Sequence, residues 1–383
     1  MKLAFFGHKP RSVEKGGGLF NYSSEILRGL RTNDVDVVFL YHGPKTRKSK
    51  DIKEVQIGSF NLFNKDVISE PSAQRVIEET LVAEQPDIAH ASLSFSLFSR
   101  FDFTLPDICH DYGIPIVATV HFPYDRRSTF WGSASRSLYR LYASPLSHYD
   151  GVIIFSEEQK ALLSDYGVPA ERLHVIPNGV DTQKFRPGAS TFKRELNADF
   201  LITYMGRVDP EKNVGELLRV FRDLNVPPSY RLVVVGDGSE CERLREKYES
   251  HPQISFTGWI ASDEERVRIL QATDIFVLPS DVEGLSLALL EGMACGCPVV
   301  ATDAGADGEA LGDTGILIDP ETLQPQLRLA MQLLITHPEF AQALAASARA
   351  RVVKNYSLEA NVRQLVHLYR NILPLNGDGG SPS

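Results

Sequence analysis

Short apolar segments of β-type residues alternate with amphipathic helical patterns along the whole chain, and this alternation limits the possible fold more than any other feature. The segments that predict strands are residues 3–6, 35–40, 88–91, 116–119, 152–155, 201–204, 231–235, 254–256, 275–278, 299–301 and 315–318. Helical patterns lie between several of them, at residues 19–31, 73–84, 213–224, 241–248 and 287–294. This order predicts an α/β protein whose parallel sheets carry helices on both faces.

The alternation pauses at residues 176–188, IPNGVDTQKFRPG, which are rich in turn-forming residues, and then restarts. A chain of 383 residues readily accommodates two domains. We therefore predict an N-terminal domain over residues 1–178 and a C-terminal domain over residues 179–355. A last helical segment within residues 356–374 is expected to pack back on the N-terminal domain, and residues 375–383 are expected to be disordered.

The composition is that of a soluble globular protein, with 43% hydrophobic and 23% charged residues. No apolar run approaches the roughly 18 residues that a membrane-spanning helix needs. The N-terminus, MKLAFFGHKP, lacks the long apolar core and cleavage site of a signal peptide, so a cytoplasmic location is expected. A net charge of −9 argues against a nucleic-acid partner, which would require a basic surface.

The sequence offers little for a metal. Its four cysteines, Cys109, Cys241, Cys295 and Cys297, lack the paired spacing of a zinc site and are expected to be buried thiols. The D-x-D at residues 34–36 begins a predicted strand and is interpreted as strand-edge polarity. We expect no metal or other cofactor.

Residues 278–302, LPSDVEGLSLALLEGMACGCPVVAT, combine a strand, a short loop and an apolar helix. Ligands of open parallel sheets bind beyond the carboxyl ends of strands, and a helix N-terminus there favours an anion. Gly284 permits close backbone approach. Glu291 lies on an otherwise apolar helix, where ribose hydroxyls would offset the cost of burying it. Taken alone, the segment is as compatible with a purely structural role, a solvent-facing glutamate plus a helix cap, as it is with a ligand site.

Two other segments carry residues suited to phosphate. In residues 204–212, YMGRVDPEK, Arg207 and Lys212 follow a strand and could converge on one anionic group. Gly16, Gly17 and Gly18 follow the first strand, although their spacing is neither that of a dinucleotide fingerprint nor that of a P-loop.

Taken in order, several short motifs resemble those of the GT4-type retaining glycosyltransferases. They are GR with Lys212, VVGDG at 234–238, ISFTG at 254–258, PS at 279–280 and residues 283–302. Residues 119–123 (TVHFP) and 176–181 (IPNGVD) add to the likeness, which is strong in the C-terminal half and weak in the N-terminal half. The resemblance implies the GT-B fold, in which two Rossmann-like, doubly wound domains face each other across a deep cleft that holds the active site.

The resemblance also implies roles for individual residues. Arg207 and Lys212 should bind the donor pyrophosphate, Glu291 the ribose, and Glu283 the transferred sugar. The candidate catalytic residues are His121, over the donor sugar near the acceptor, and Glu283. The other expected donor contacts come from Gly17, Gly18, Gly258, Ile260, Gly284, Leu285, Ser286 and Leu287.

The chain departs from the family pattern in three places. It has Leu285-Ser286 where the family commonly has Phe-Gly, which could alter the sugar preference. It has residues 305–309, GADGE, where the family often has Gly-Gly-x-Pro-Glu, so Glu309 is a less secure match. The Gly-rich turn follows a basic insertion at residues 9–15.

The expected reaction is metal-independent transfer of a hexose from a nucleotide-diphosphate sugar, with UDP-sugars favoured over GDP-sugars, to a hydroxyl of a sugar, glycan or lipid. Glu283 could act as a nucleophile, or the acceptor could attack from the same face as the leaving phosphate. A sugar-nucleotide epimerase and a non-catalytic sugar-nucleotide-binding homologue are the alternatives. Transfer or hydrolysis of a labelled donor separates the enzyme from the non-catalytic homologue.

A lipid acceptor would suit an enzyme attached to the inner face of a membrane. Residues 130–142, FWGSASRSLYRLY, mix aromatic and basic residues, and residues 45–50 are basic. Together they could dock on an anionic bilayer. The favoured interpretation is nevertheless a helix that packs its aromatic residues inward and leaves its arginines outside.

Overall fold

A computed structural model describes residues 1–8, 18–42, 52–57, 59–62, 65–68, 70–93, 101–125, 127 and 130–373. The chain divides into two compact units. The first comprises Met1–Phe122, Ser137–Pro177 and Glu359–Ser383, and the second comprises Pro123–Arg136 and Asn178–Leu358. A short segment from the N-terminal half of the sequence therefore packs with the second unit.

The strands are short, as the apolar runs predict. They are β1 Lys2–His8, β2 Asp36–His42, β3 Lys53–Gln56, β4 Ser59–Leu62, β5 Lys65–Ile68, β6 Ile88–Leu93, β7 Ile116–Val120, β8 Gly151–Ile154, β9 Leu173–Val175, β10 Phe200–Met205, β11 Tyr230–Val235, β12 Ile254–Gly258, β13 Ile275–Leu278, β14 Val299–Thr302 and β15 Ile316–Ile318.

Each unit is built on one parallel sheet. Within the described ranges, the first unit has a seven-stranded sheet in the order β3-β2-β1-β6-β7-β8-β9. The second has six strands in the order β12-β11-β10-β13-β14-β15. Both sheets start in the middle and wind outward in both directions, the order of a Rossmann fold. The two predicted parallel α/β units are thus confirmed.

The helices cover the faces of these sheets. They are α1 Gly18–Arg31, α2 Glu70–Glu84, α3 Phe101–Asp111, α4 Phe130–Leu146, α5 Glu157–Asp165, α6 Phe192–Glu195, α7 Val214–Arg222, α8 Cys241–Tyr248, α9 Asp263–Ala272, α10 Leu287–Ala294, α11 Asp307–Leu311, α12 Leu323–Thr336, α13 Pro338–Asn355 and α14 Leu358–Ile372.

The central strands are buried on both faces, which is why they appear in the sequence as continuous apolar runs. All residues of β7 and of β13 are buried. The apolar cores of the two units therefore lie between each sheet and its helices, and these cores leave the loops at the strand ends to carry polar side chains.

The C-terminal helix α14 belongs to the first unit. The OH group of Tyr369 lies 2.5 Å from Nδ1 of the buried His90 in β6. Asn361 Nδ2 donates to the Pro177 carbonyl oxygen at 2.5 Å. The predicted disordered tail, residues 375–383, lies outside the described residues.

The predicted strands match observed strands within two residues at each end, and the helices predicted at 241–248 and 287–294 have the observed bounds. The elements that the apolar pattern missed include β3, the antiparallel hairpin of β4 and β5, and β9. β3 is an edge strand of sequence KEVQ with no buried residue, and β9 is only three residues long. Such segments carry no apolar run that would reveal them.

Gly236, which follows β11, allows two backbone segments of the second unit to touch. Its φ is +136°, and a Cβ added there would lie 1.8 Å from the Gly206 carbonyl oxygen after β10. At Gly167 φ is +92°, but no atom lies within 4 Å of an added Cβ.

We predict that Gly236→Ala lowers the free energy of unfolding of the second unit by about 2–4 kcal/mol, because it adds a backbone clash to the strained φ. Gly167→Ala should cost only about 1 kcal/mol, since it adds backbone strain alone. Urea denaturation of both variants provides the measurement. Equal losses would show that the close approach of the two segments is absent.

Candidate functional site

The strand order of the second sheet diverges between β10 and β13. Ligands of open parallel sheets bind beyond the carboxyl ends of the strands at such a point, because the two loops there turn to opposite sides and leave a crevice. β10 ends at Met205 and β13 at Leu278. Arg207 and Lys212 follow β10, and Glu283 follows β13, so the structure brings these predicted residues to one edge of the sheet.

Lys212 is a buried lysine, 8% exposed, at the end of the 3-10 turn Pro210–Lys212. Its Nζ lies 2.6 Å from Glu283 Oε1 and 3.2 Å from the Val282 carbonyl oxygen. Ser280 Oγ donates to the same carboxylate oxygen at 2.8 Å. A buried ammonium group needs an opposite charge to offset its lost hydration, so Lys212 and Glu283 hold each other in place.

Asn213 ties the two loops together. It adopts the left-handed conformation, with φ of 51°, which asparagine tolerates better than most residues. Its Nδ2 donates to the Pro279 carbonyl oxygen at 3.0 Å and to Asp281 Oδ1 at 2.7 Å. The Asp281 N–H in turn donates to the Glu211 carbonyl oxygen at 2.8 Å. The loops after β10 and β13 therefore form one connected structure.

Arg207 is placed differently from Lys212. Its side chain is 56% exposed and pairs with Asp209 and with Glu211, whose Oε1 lies 2.7 Å from Arg207 Nη2. The two cations were expected to converge on one anionic group, but in the structure each is directed to carboxylates. A bound diphosphate would have to compete with these partners.

The backbone of Glu283 and Gly284 is held from two sides. The Tyr124 N–H donates to the Glu283 carbonyl oxygen at 3.1 Å, and the Ala306 N–H donates to the Gly284 carbonyl oxygen at 2.7 Å. Gly305 has φ of +57°, and a Cβ there would lie 2.0 Å from the Glu283 oxygen. Only glycine permits this approach. The loop that carries Glu283 is thus fixed by its neighbours.

Ser286 caps helix α10, and its Oγ accepts a hydrogen bond from the Leu289 N–H at 3.3 Å. The Ser286 N–H donates to Asp307 Oδ1 at 2.7 Å, so this amide, a predicted donor contact, is engaged within the protein. Leu287 is the first residue of α10, and its N–H has no acceptor within the helix. It is an amide that the helix can direct toward an anion.

Asp307 is a buried carboxyl group, 2% exposed, beside this helix start. Burial raises its pKa well above the usual range, and the negative charge of Glu283 raises it further. The Ser286 N–H and Lys212 act in the opposite direction. The loop that departs from the family pattern therefore places an additional acid behind Glu283.

Glu291 projects from α10 and is 5% exposed. Its two oxygens lie 2.6 and 2.7 Å from Arg266 Nη1 on the neighbouring helix α9. A carboxylate buried to this degree requires hydrogen-bond donors. In the structure an arginine supplies them, and a ribose contact stays a prediction.

Leu285, Gly258 and Ile260 offer backbone groups or apolar surface. Leu285 is buried, and its carbonyl oxygen accepts a hydrogen bond from Asn178 Nδ2 at 3.0 Å. Gly258 ends β12, and its carbonyl oxygen accepts the Gly236 N–H at 2.9 Å. Ile260 is half-buried just beyond that strand. The contacts of these residues with a nucleotide stay predictions.

His121, in the first unit, follows β7 directly. Its Nε2 lies 3.0 Å from Ser92 Oγ, and its ring packs against Tyr22 and Phe155, with centroid distances of 4.5 and 5.3 Å. Although the residue as a whole is half-buried, burial of the ring lowers its pKa to about 3. The imidazole is therefore neutral near pH 7.

His90, in β6, is fully buried. Its Nε2 lies 2.7 Å from Thr119 Oγ1 and its Nδ1 lies 2.5 Å from the OH group of Tyr369. Burial lowers the pKa of His90 to about 3, with a smaller contribution from His121. Both rings are thus uncharged near pH 7.

The remaining predictions for the N-terminal half have mixed outcomes. Gly17 and the basic residues at 9–15 and 45–50 lie outside the described residues, and Gly18 is the first residue of α1. In α4, Tyr139 and Tyr142 are buried while Arg140 is exposed, as the inward-packing interpretation predicts. No helix in the described part of the chain is both long and apolar enough to cross a bilayer.

The four cysteines are buried and form no disulfide, as expected; they are Cys109, Cys241, Cys295 and Cys297. Within the ranges that the structure describes, no group of three or more His, Cys, Asp or Glu side chains could hold a metal ion. Asp36 opens β2, and Asp34 precedes it with φ of 57°.

Sequence reasoning missed Arg266, Asp307 and the segment around Tyr124. Arg266 lies in a charged helix in which every arginine looks like a surface residue, and Asp307 lies in a loop of small residues. The segment Pro123–Arg136 packs with the second unit, where Arg127 Nη2 donates to the Asp281 carbonyl oxygen at 2.6 Å. The family motif at residues 119–123 and the aromatic and basic residues at 130–142 drew attention to this region, but neither predicted that it packs with the second unit.

The sequence matches two protein families. Residues 189–351 match the family described as glycosyl transferases group 1, and residues 16–184 match glycosyltransferase family 4. The chain is 30% identical to the D-inositol 3-phosphate glycosyltransferase of Rhodococcus jostii over 244 residues. That alignment covers 60% of this chain and 54% of the relative, so the chain spans little more than half the length of this curated protein.

Solved structures share the fold at low sequence identity. Sucrose-phosphate synthase from Thermosynechococcus elongatus is 20% identical, with a TM-score of 0.78 over 97% of this chain and 98% of that one. Anabaena HepE, solved in complex with UDP-glucose, is 18% identical, with a TM-score of 0.75 over 97% of this chain and 100% of that one.

The buried neutral histidine His90 makes stability depend on pH. Its pKa is about 3 in the folded chain, while an unfolded chain has the ordinary value near 6.5, so the unfolded state binds more protons between these limits. Stability is therefore present above about pH 6.5 and is lost as the pH falls toward 3.

We predict that His90→Gln flattens the pH dependence of the unfolding free energy between about pH 6.5 and 4, by up to about 1.4 kcal/mol per pH unit. Urea denaturation at a series of pH values measures the two slopes. His367→Gln on the exposed face of α14 is the matched control. Identical slopes for the His90 variant and the unmodified protein would contradict the prediction.

Proposed function

The chain belongs to the group 1, family 4 glycosyltransferases, and from this premise we propose that it is a retaining enzyme. It transfers a hexose from a nucleotide-diphosphate sugar to a hydroxyl group of a sugar, glycan or lipid. The observation that carries the proposal is the ion pair of the buried Lys212 with the half-buried Glu283, at the point where the strand order diverges and beside the start of α10. An ammonium group, a carboxylate and a helix N-terminus at such a point match a diphosphate joined to a polyhydroxylated ring.

The donor that we propose is a UDP-sugar. The solved complex of HepE with UDP-glucose, on the same fold, supports this choice. Arg207, Lys212 and the Leu287 amide would bind the diphosphate, Glu291 the ribose, and residues 258–260 the base. Of the three N–H groups of the Lys212 ammonium, Glu283 and Val282 accept two, and the third would reach the phosphate.

Cleavage of the bond between the anomeric carbon and the phosphate places negative charge on the departing diphosphate. Preorganised cations and amides that stabilise this charge are usually the largest catalytic contribution. Lys212 is already fixed by Glu283 and Val282, so it needs little reorganisation during the reaction. These groups can stabilise the leaving group without a divalent cation, and we propose a metal-independent reaction.

Glu283 is better suited to binding than to nucleophilic attack. Lys212 and Ser280 both donate to its Oε1, and such donors stabilise the carboxylate charge and reduce its nucleophilicity. We therefore favour attack by the acceptor on the same face as the departing phosphate, which accepts the acceptor proton. Glu283 would bind a sugar hydroxyl and stabilise the positive charge that develops on the ring.

The proposed acceptor-side residue is His121. Because burial lowers its pKa to about 3, it would act as a neutral hydrogen-bonding group and not as an imidazolium. Its contact with Ser92 fixes the ring orientation.

The donor site predicts selective stabilisation by one nucleotide series. In a thermal-shift panel of UDP-, GDP- and ADP-sugars, we expect UDP-sugars to raise the melting temperature most, because ligands that bind only the folded state stabilise it. Lys212→Ala should reduce the ligand-induced shift, equivalent to a loss of affinity of about 10-fold or more.

The matched control is Lys193→Ala, in the same unit, which breaks the ion pair with Asp274 at 2.8 Å. It should lower the melting temperature without reducing the ligand-induced shift. An unmodified protein that none of the donors stabilises would contradict the proposed function.

Metal removal should leave the reaction intact. With millimolar EDTA, we expect hydrolysis or transfer from the preferred donor to keep its rate within about twofold, because the charge on the leaving group is stabilised by protein groups. Nucleotide release measures the rate, and proton NMR of the first sugar released should show the anomeric configuration of the donor. Loss of activity in EDTA with recovery on adding Mg²⁺ or Mn²⁺ would refute metal independence, and release of the inverted anomer would refute retention.

A further inference from the structure

Glu291 is part of a buried charge network that the proposed reaction does not explain. Arg266 Nη1 contacts both of its oxygens, and Arg266 Nη2 donates to Asp263. Asp263 also pairs with Lys184. The guanidinium lies over the ring of Phe185, 5.3 Å from its centroid. Arg266 and Glu291 side chains are only 14% and 6% exposed.

Stability alone is a weak reason for this pair. Two buried charges lose hydration that their attraction only partly restores, and replacement by apolar residues is often neutral or stabilising. The residues of α10 that precede Glu291 are all apolar, so an apolar side chain at position 291 would suit the core. A carboxylate maintained here by an arginine fits a binding function better than a packing function.

The network also balances its own charge. Two carboxylates, Glu291 and Asp263, face two cations, Arg266 and Lys184, which gives a net charge of zero. Burial would raise the pKa of Asp263, but the hydrogen bonds from Lys184 and Arg266 outweigh this effect and lower it. A carboxylate without this balance would repel the charged diphosphate that the proposed function brings to the same unit.

We propose that Arg266 is a positioning residue for the nucleoside of the donor. It holds the Glu291 carboxylate in one orientation and balances its charge, so that this group can accept hydrogen bonds from a vicinal diol, the ribose 2′- and 3′-hydroxyls. The planar fork of arginine binds Glu291 and Asp263 together, which the single ammonium of lysine does poorly. This inference rests on the proposed function, since it assigns a further residue to the same donor site.

The test is isothermal titration calorimetry with UDP and 2′-deoxy-UDP on the full chain. We expect the unmodified protein to bind UDP about 10-fold or more tightly than its deoxy analogue, since loss of a hydroxyl leaves Glu291 without that partner. Arg266→Met should weaken UDP binding by about 10- to 100-fold and bring the two affinities within about twofold. Arg266→Lys should recover part of the affinity and less of the discrimination.

Arg268→Met is the matched control. Arg268 lies on the same helix, pairs with Glu195 and Glu265, and stacks over a phenylalanine ring, as Arg266 does. Its loss should leave both affinities unchanged within about twofold. Glu291→Gln combined with Arg266→Met should cost no more than either change alone, because the two residues act as a unit.

The positioning role of Arg266 and the UDP donor of the proposed function are contradicted by different outcomes. An Arg266→Met protein that stays folded by circular dichroism and retains the UDP preference, or binds UDP more tightly, would overturn the positioning role. If Arg266→Met fails to fold, an unchanged preference for UDP in Arg266→Lys would overturn it equally. Absence of UDP binding by the unmodified protein would instead contradict the UDP donor of the proposed function.

Discussion

The ion pair between Lys212 and Glu283 connects the loops after β10 and β13, which the divergent strand order would otherwise direct to opposite sides of the sheet. Asn213 reinforces the link through Pro279 and Asp281. Each member of a buried pair is costly without the other. The position of Glu283, and with it the loop that leads into α10, therefore depends on the lysine that follows the neighbouring strand.

The same arrangement recurs around the candidate site, where cations face acidic partners. Arg207 pairs with Glu211, Lys212 with Glu283, and Arg266 with Glu291. In a chain with a net charge of −9, such pairing holds these cations in place. A ligand that binds there meets cations whose positions particular carboxylates already fix. Such a fixed geometry favours one shaped anion over polyanions in general.

The elements of the fold were largely predictable. Strands such as β13 and helices such as α10 have continuous apolar sequences because they are buried, and burial is what the sequence pattern reports. The missed strand β3 is half-exposed at the sheet edge, so its sequence follows no apolar pattern. The packing of Pro123–Arg136 with the second unit was equally invisible, because chain continuity alone assigns that segment to the N-terminal half.

The candidate site was likewise predictable only in part. Loops at strand ends and a charged residue on an apolar helix drew attention to Arg207, Lys212, Glu283 and Glu291, and the resemblance to a family implied their roles. The partners were decided only by the tertiary structure. Lys212 contacts Glu283 across 71 positions and Glu291 contacts Arg266 across 25, distances over which no local pattern operates. The sequence by itself determined which elements form and where the polar residues lie. Only the folding of the second unit, which brings distant strand ends and helices together, decided which charges neutralise each other.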